Sequence, residues 1–277
     1  MNSPLVSTEW LAAHLHEVRV IDIRGHVVAA SEPLPHYFNH HADYLVSHIP
    51  GALFVDWVHE ITDPADPRHA LIAQPERYAA AMSRLGIGQD TFVVTYDDAN
   101  SMFAARLWWS LLYYGHEKVA VLDGGWHKWT REGRPVSTEI PTIAPAAFVP
   151  RVNAALRVNA DQVAALSAES RLIDVRTVEE FTGKSSRARR KGHIPGARSL
   201  PRMELVAQDG TLPTPERLRA QFGAVGVDEG TENTVFYCNA GVSASYGLLA
   251  LRVAGFDGAV YDGSWKDWGN DETRPVE

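Results

Sequence analysis

At 277 residues the chain exceeds the usual size of one domain, and 45 % hydrophobic content is enough for proper buried cores. A formal charge of -8, from 26 basic and 34 acidic residues, excludes a global attraction for nucleic acid or anionic membrane, so an anionic substrate must meet a local positive site. A single cysteine excludes an intramolecular disulfide and a thiolate metal cluster; with no secretory signal and no run of ~18 apolar residues, the expectation is a cytoplasmic enzyme.

In chain order, a short apolar run at 20–23 ends on Arg24 and is followed by a His-Ile-Pro-Gly-Ala turn at 48–52. Helical periodicity predicts helices over 75–85 and 103–114, with a β-prone run at 93–97 between them and Leu-Asp-Gly-Gly-Trp at 122–126. The stretch 136–157 holds Pro141, Pro145 and Pro150 with little periodicity and reads as a linker. The same landmarks then return in the same order: residues 172–176, His-Ile-Pro-Gly-Ala at 193–197, a strand at 234–237 ending on Cys238, and Tyr-Asp-Gly-Ser-Trp at 261–265. The chain is therefore written twice, at a period long enough for each copy to bury its own core. Strands alternating with helices predict two α/β domains, each a mostly parallel sheet flanked by helices, at 1–135 and 158–277.

Landmarks common to both copies read as scaffold. These are Asp22 with Arg24, Asp174 with Arg176, His48, His193 and the tryptophans Trp126, Trp129, Trp265 and Trp268. Cys238 is different, because Asp97 stands opposite it in the first copy. In a parallel sheet, reactive groups gather beyond the carboxyl ends of strands, where a loop feeds the next helix. Cys238 lies there, ahead of a loop of small residues, Asn239, Ala240, Gly241, Val242, Ser243 and Ala244, and a helix expected over 245–253. Such a loop turns backbone amides inward as an anion nest, which with the positive helix end stabilises a thiolate over a thiol.

These residues resemble the rhodanese-like tandem sulfurtransferases over nearly the whole chain. The resemblance implies a first domain without the nucleophile and a second that carries sulfur as a persulfide on Cys238, without metal or organic cofactor. It further implies a small-molecule sulfur donor and a cyanide or thiol acceptor, including a thioredoxin-like protein. Phosphatases sharing this fold need an arginine six residues after the cysteine, where this chain has Ala244. Uncharged Asn239 and Ala240 resemble the 3-mercaptopyruvate branch more than the thiosulfate branch. His69 matches that branch's first-domain histidine, but Val58 stands where its aspartate is expected, with Asp56 two positions earlier. Glu180 likewise replaces an expected substrate arginine, and Arg187, Arg189 and Arg190 follow in the same basic stretch. Arg187 is the first candidate to bind the donor in its place, with Arg176 a second. The alternative reading is a rhodanese pair that binds a partner without catalysis.

Overall fold

The computed structural model describes residues 3–29, 32–66 and 71–277. The described residues fall into two compact units, one formed by those up to Pro64 with Ile72–Asn153 and Gln208–Thr211, the other by Ala154–Ala207 and Leu212–Glu277 with Ala65, Asp66 and Leu71.

The first unit contains β1 (Leu5–Val6), α1 (Thr8–His14), β2 (Arg19–Asp22), β3 (Gly25–Val27), β4 (Tyr37–Asn39), α2 (His41–Val46), β5 (Leu53–Phe54), α3 (Pro75–Arg84), β6 (Val93–Tyr96), α4 (Met102–Tyr113), β7 (Val119–Leu122) and α5 (Gly125–Arg131). The second contains β8 (Arg157–Val158), α6 (Ala160–Ala164), β9 (Arg171–Asp174), α7 (Val178–Phe181), β10 (Arg198–Ser199), α8 (Pro215–Ala224), β11 (Thr234–Tyr237), α9 (Val242–Val253), β12 (Ala259–Tyr261) and α10 (Ser264–Trp268).

The first sheet runs β1-β7-β6-β2-β5 and the second β8-β12-β11-β9-β10, the same order strand for strand. Every pairing in both is parallel. The antiparallel ribbon β3-β4 is an addition of the first unit. Central strands β6 and β11 are buried at every residue, which is why Val-Val-Thr-Tyr and Thr-Val-Phe-Tyr read as unbroken runs rather than alternating ones. Proline at the first turn starts α3 and α8, where its missing N–H costs nothing, and Thr214 caps α8 by accepting from the Arg217 amide.

Each sheet carries the same buried ion pair just past its second strand. Arg24 holds Asp22 and stacks on Trp126 at 4.4 Å; Arg176 holds Asp174 and stacks on Trp265 at 4.5 Å. In the His-Ile-Pro-Gly-Ala turns, His48 sets its ring nitrogens against the carbonyls of Tyr44 and Glu139, and His193 sets Nδ1 against Phe181 O. The residues after α5 are not a solvated tether. Ser137 bridges to His48, and the amides of Ala146, Arg151 and Asn153 donate to Ser83, Tyr114 and Tyr113 of the first unit.

One element departs from expectation. The helix after Cys238 begins at Val242 rather than 245, so the loop shrinks to Cys238, Asn239, Ala240 and Gly241. Gly241 has φ +73°, a left-handed turn that glycine makes without strain and that swings the chain into the helix early.

Candidate active site

Cys238 closes the most central strand of the second sheet and is 4 % exposed. Its loop is fastened from one side by the first turn of α10. Ser264 Oγ accepts the amides of Cys238 at 3.1 Å and Gly241 at 3.0 Å, and donates to Tyr261 O at 2.7 Å. The Trp265 amide donates to Cys238 O at 2.9 Å and the Lys266 amide to Asn239 O at 3.0 Å. Ser264 adopts φ +54° to do this, a left-handed conformation that non-glycine residues seldom take.

The corresponding loop of the first unit explains what this architecture is good for. Asp97 ends β6 as Cys238 ends β11, and the Trp126 amide donates to Asp97 O at 2.8 Å. The Asp97 carboxylate is turned back into its own loop. Oδ1 accepts the amides of Ala99 and Ser101, both at 2.9 Å, and Oδ2 those of Phe103 at 2.6 Å and Ala104 at 2.8 Å. Four backbone N–H groups thus hold a fully buried anionic side chain, although burial still raises its pKa. The copy without a cysteine thus forms a filled nest of backbone amides at the position that matches Cys238.

The other residues singled out by sequence take distinct places. Asn239 donates Nδ2 to Glu180 Oε1 at 2.8 Å, while its Oδ1 is buried with no partner among the described residues. Ala240 is 5 % exposed beside the thiol, Gly241 makes the turn, and Val242 and Ser243 form the first turn of α9. Glu180 sits on α7, capping-boxed with Thr177, and Arg187 Nε lies 3.9 Å from its Oε1. Arg187 is therefore brought to the Glu180 and Asn239 edge of the loop. Arg190 is not; its guanidinium donates to the carbonyls of Trp268, Gly269, Asp271 and Arg274 and ties down the end of the chain. Arg189 is exposed. Arg176 is enclosed between Asp174 and Trp265 and donates to Gly192 O, the arrangement that Arg24 repeats in the unit without the cysteine.

Of the first-unit residues, Asp56 spends its oxygens on the amides of Val58 and His59, on Asn39 Nδ2 and on His59 Nδ1. His69 lies outside the described residues.

Sequence reasoning passed over two groups. Ser264 replaces the glycine of the first copy, Gly125, and its hydroxyl reaches the amides of the Cys238 loop. A Cβ at Gly125 would meet Asp97 O at 2.5 Å. Lys266, one residue past the Tyr-Asp-Gly-Ser-Trp landmark, is half-buried and within electrostatic reach of Cys238, Arg187 and Asp66. Burial brings its ammonium down to about 8, with Arg187 pushing the same way and Asp66 and Cys238 opposing. The only signal for either was their register against Gly125 and His127 of the first copy.

Among the described residues, no group of histidine, cysteine or acidic side chains could hold a metal ion, and no helix is long and apolar enough to cross a membrane.

Comparison with known proteins agrees with the duplicated topology. The description "Rhodanese-like domain" matches residues 7–132 and again 159–271. The chain is 36 % identical over 279 residues to the thiosulfate sulfurtransferase of Bos taurus, covering 95 % of this chain and 91 % of that protein. It is 34 % identical to the 3-mercaptopyruvate sulfurtransferase of Escherichia coli K12, covering 98 % and 97 %. It is also 34 % identical to the sulfur carrier protein TtuD of Thermus thermophilus, covering 96 % and 93 %. The crystal structure of the 3-mercaptopyruvate enzyme SseA from Escherichia coli superposes with a TM-score of 0.82 at 33 % identity, over 95 % of this chain and 99 % of that one. With two matched domains, full-length relatives above 30 % identity and the shared parallel sheets, the chain belongs to the rhodanese-like family and carries its domain twice in tandem.

Proposed function

We propose that this sulfurtransferase carries sulfane sulfur as a persulfide on Cys238, with the domain at 158–277 catalytic, the domain at 1–135 lacking the nucleophile and 136–157 joining them. The supporting observation is the Asp97 carboxylate. Its CH2–C–O path has the same length in bonds as the CH2–S–S path of a cysteine persulfide, and four amides hold its oxygens. A second sulfur on Cys238 would extend into the matching loop, toward the amides of the first turn of α9 that can stabilise an anion, the Gly241 amide being already given to Ser264.

The chemistry is a double displacement. With thiosulfate, the Cys238 thiolate attacks the outer sulfur, the sulfur–sulfur bond of the donor breaks, and sulfite leaves with the electron pair. With 3-mercaptopyruvate, the carbon–sulfur bond breaks and the thiol proton ends on the methyl group of pyruvate. Either way the enzyme holds Cys–S–S⁻. Cyanide or a thiol, including one on a thioredoxin-like protein, then takes the outer sulfur and returns the thiolate. No redox cofactor or metal enters this balance.

The donor head is anionic in both cases and needs a cation. Arg187 supports this part best, because it stands at the edge of the Cys238 loop while Arg190 is occupied elsewhere. The enclosure of Arg176 supports a scaffolding part instead, and Asn239 to Ser243 supply the loop and first helical turn around the transferred sulfur. The uncharged loop favours 3-mercaptopyruvate over thiosulfate, with His69 a further candidate contact to it.

Intact-mass measurement after exposure to either donor tests the reading. A gain of about 32 Da that is lost on adding cyanide is expected. No gain from either donor would leave a rhodanese pair that binds a partner without catalysis.

A further inference from the structure

The Cys238 loop contains no cation of its own, and Arg187, at the Glu180 and Asn239 edge of that loop, is already offset by Glu180 at 3.9 Å. An anionic donor therefore needs a second positive group near the thiol. On α10, Trp265 and Lys266 run alongside Cys238 and Asn239, amide to carbonyl, at 2.9 Å and 3.0 Å. This pairing sets Lys266 in register with the loop. The Trp265 side chain turns into the core, where it is 0 % exposed, lies under the Arg176 guanidinium and donates its indole N–H to Ser186. Lys266, the next residue, remains half-buried and within electrostatic reach of Cys238, Arg187 and Asp66.

The geometry points to Lys266 as a donor-binding residue, whose ammonium receives the anionic head of the sulfur donor beside Cys238. This rests on the persulfide reading above. The first unit, whose Asp97 fills its own nest, has His127 at the matching position, directed to Asp98 O at 2.8 Å. Only the unit with the cysteine places a lysine there.

A point charge that binds the donor acts on one half of the cycle and in proportion to donor charge. The experiment separates the two halves in wild type, Lys266→Met and Lys266→Arg. Persulfide formation is followed with thiosulfate, a dianion, and with 3-mercaptopyruvate, a monoanion. Persulfide discharge is followed with dithiothreitol, a neutral thiol. Lys266→Met is expected to lower kcat/KM for thiosulfate about tenfold through KM, and for 3-mercaptopyruvate by less. Discharge should stay within about twofold, and Lys266→Arg should recover most of the loss. Unchanged donor kinetics in Lys266→Met, or an equal drop in both half-reactions, would overturn the assignment. The second outcome would mean that the lysine only shapes the loop. Failure of wild type to form a persulfide with any donor would remove the underlying reading and this one with it.

Discussion

Asp97 and Cys238 are the same position in two copies of one fold. Each directly follows the central strand, and at each the carbonyl oxygen accepts the amide of a tryptophan in the helix beyond the next strand, Trp126 of α5 at 2.8 Å and Trp265 of α10 at 2.9 Å. One copy fills the resulting nest with its own carboxylate. The other offers a thiol that is one bond shorter, and the consequences can be measured.

Cys238→Ser is expected to keep the fold and lose sulfur transfer to below a few per cent of wild type. A hydroxyl is nearly isosteric with a thiol but does not accept sulfane sulfur. Steady-state turnover with thiosulfate and 3-mercaptopyruvate checks it, and substantial residual turnover would remove Cys238 as the carrier.

Asp97→Asn should destabilise the protein without touching the chemistry directly. Four amides converge on two acceptor oxygens, and an amide side chain can present only one. Two buried N–H groups lose their acceptor, a cost on the order of 2 to 5 kcal/mol. Urea denaturation reads this loss, and a variant as stable as wild type would show that the nest does not depend on the charge.

Arg187→Ala is expected to raise the donor KM roughly tenfold to a hundredfold, the range of a charge-assisted hydrogen bond, with only partial rescue by Arg187→Lys. Arg190→Ala should do the opposite. Its guanidinium binds backbone carbonyls of the 268–274 segment, so stability should fall while donor KM holds. Equal KM values for wild type and Arg187→Ala would assign Arg187 to the Glu180 contact alone.

Lys266 also sets a pH dependence. Its ammonium, lowered to about 8 chiefly by burial and also by Arg187, is charged below that pH and neutral above it. Asp66 and Cys238 face it and work against the loss of charge. Thiosulfate KM should therefore be lowest below about pH 8 and climb above it, and Lys266→Arg, whose guanidinium stays charged, should not show the climb. A wild-type profile as flat as that of the arginine variant would refute this.

The duplication, the parallel α/β class and the singular position of Cys238 at a strand end were legible in the sequence, because each depends on order along the chain. Buried central strands must be continuous apolar runs, a strand end must be followed by turn residues, and two copies betray each other by register. Contacts between residues far apart in sequence were not legible. Arg187 and Arg190 are three positions apart in one basic stretch, yet one reaches Glu180 and the other the carbonyls of the chain end, because the loop that carries them bends between. The helix start at Val242 followed from a left-handed Gly241 that composition does not announce. Ser264 and Lys266 reach the Cys238 loop from about 26 residues downstream only because β12 lies beside β11 and delivers α10 against it. A linear code records which groups are available; closure of the sheet decides which of them meet, since hydrogen bonds and charges act over a few ångströms of space and take no account of distance along the chain.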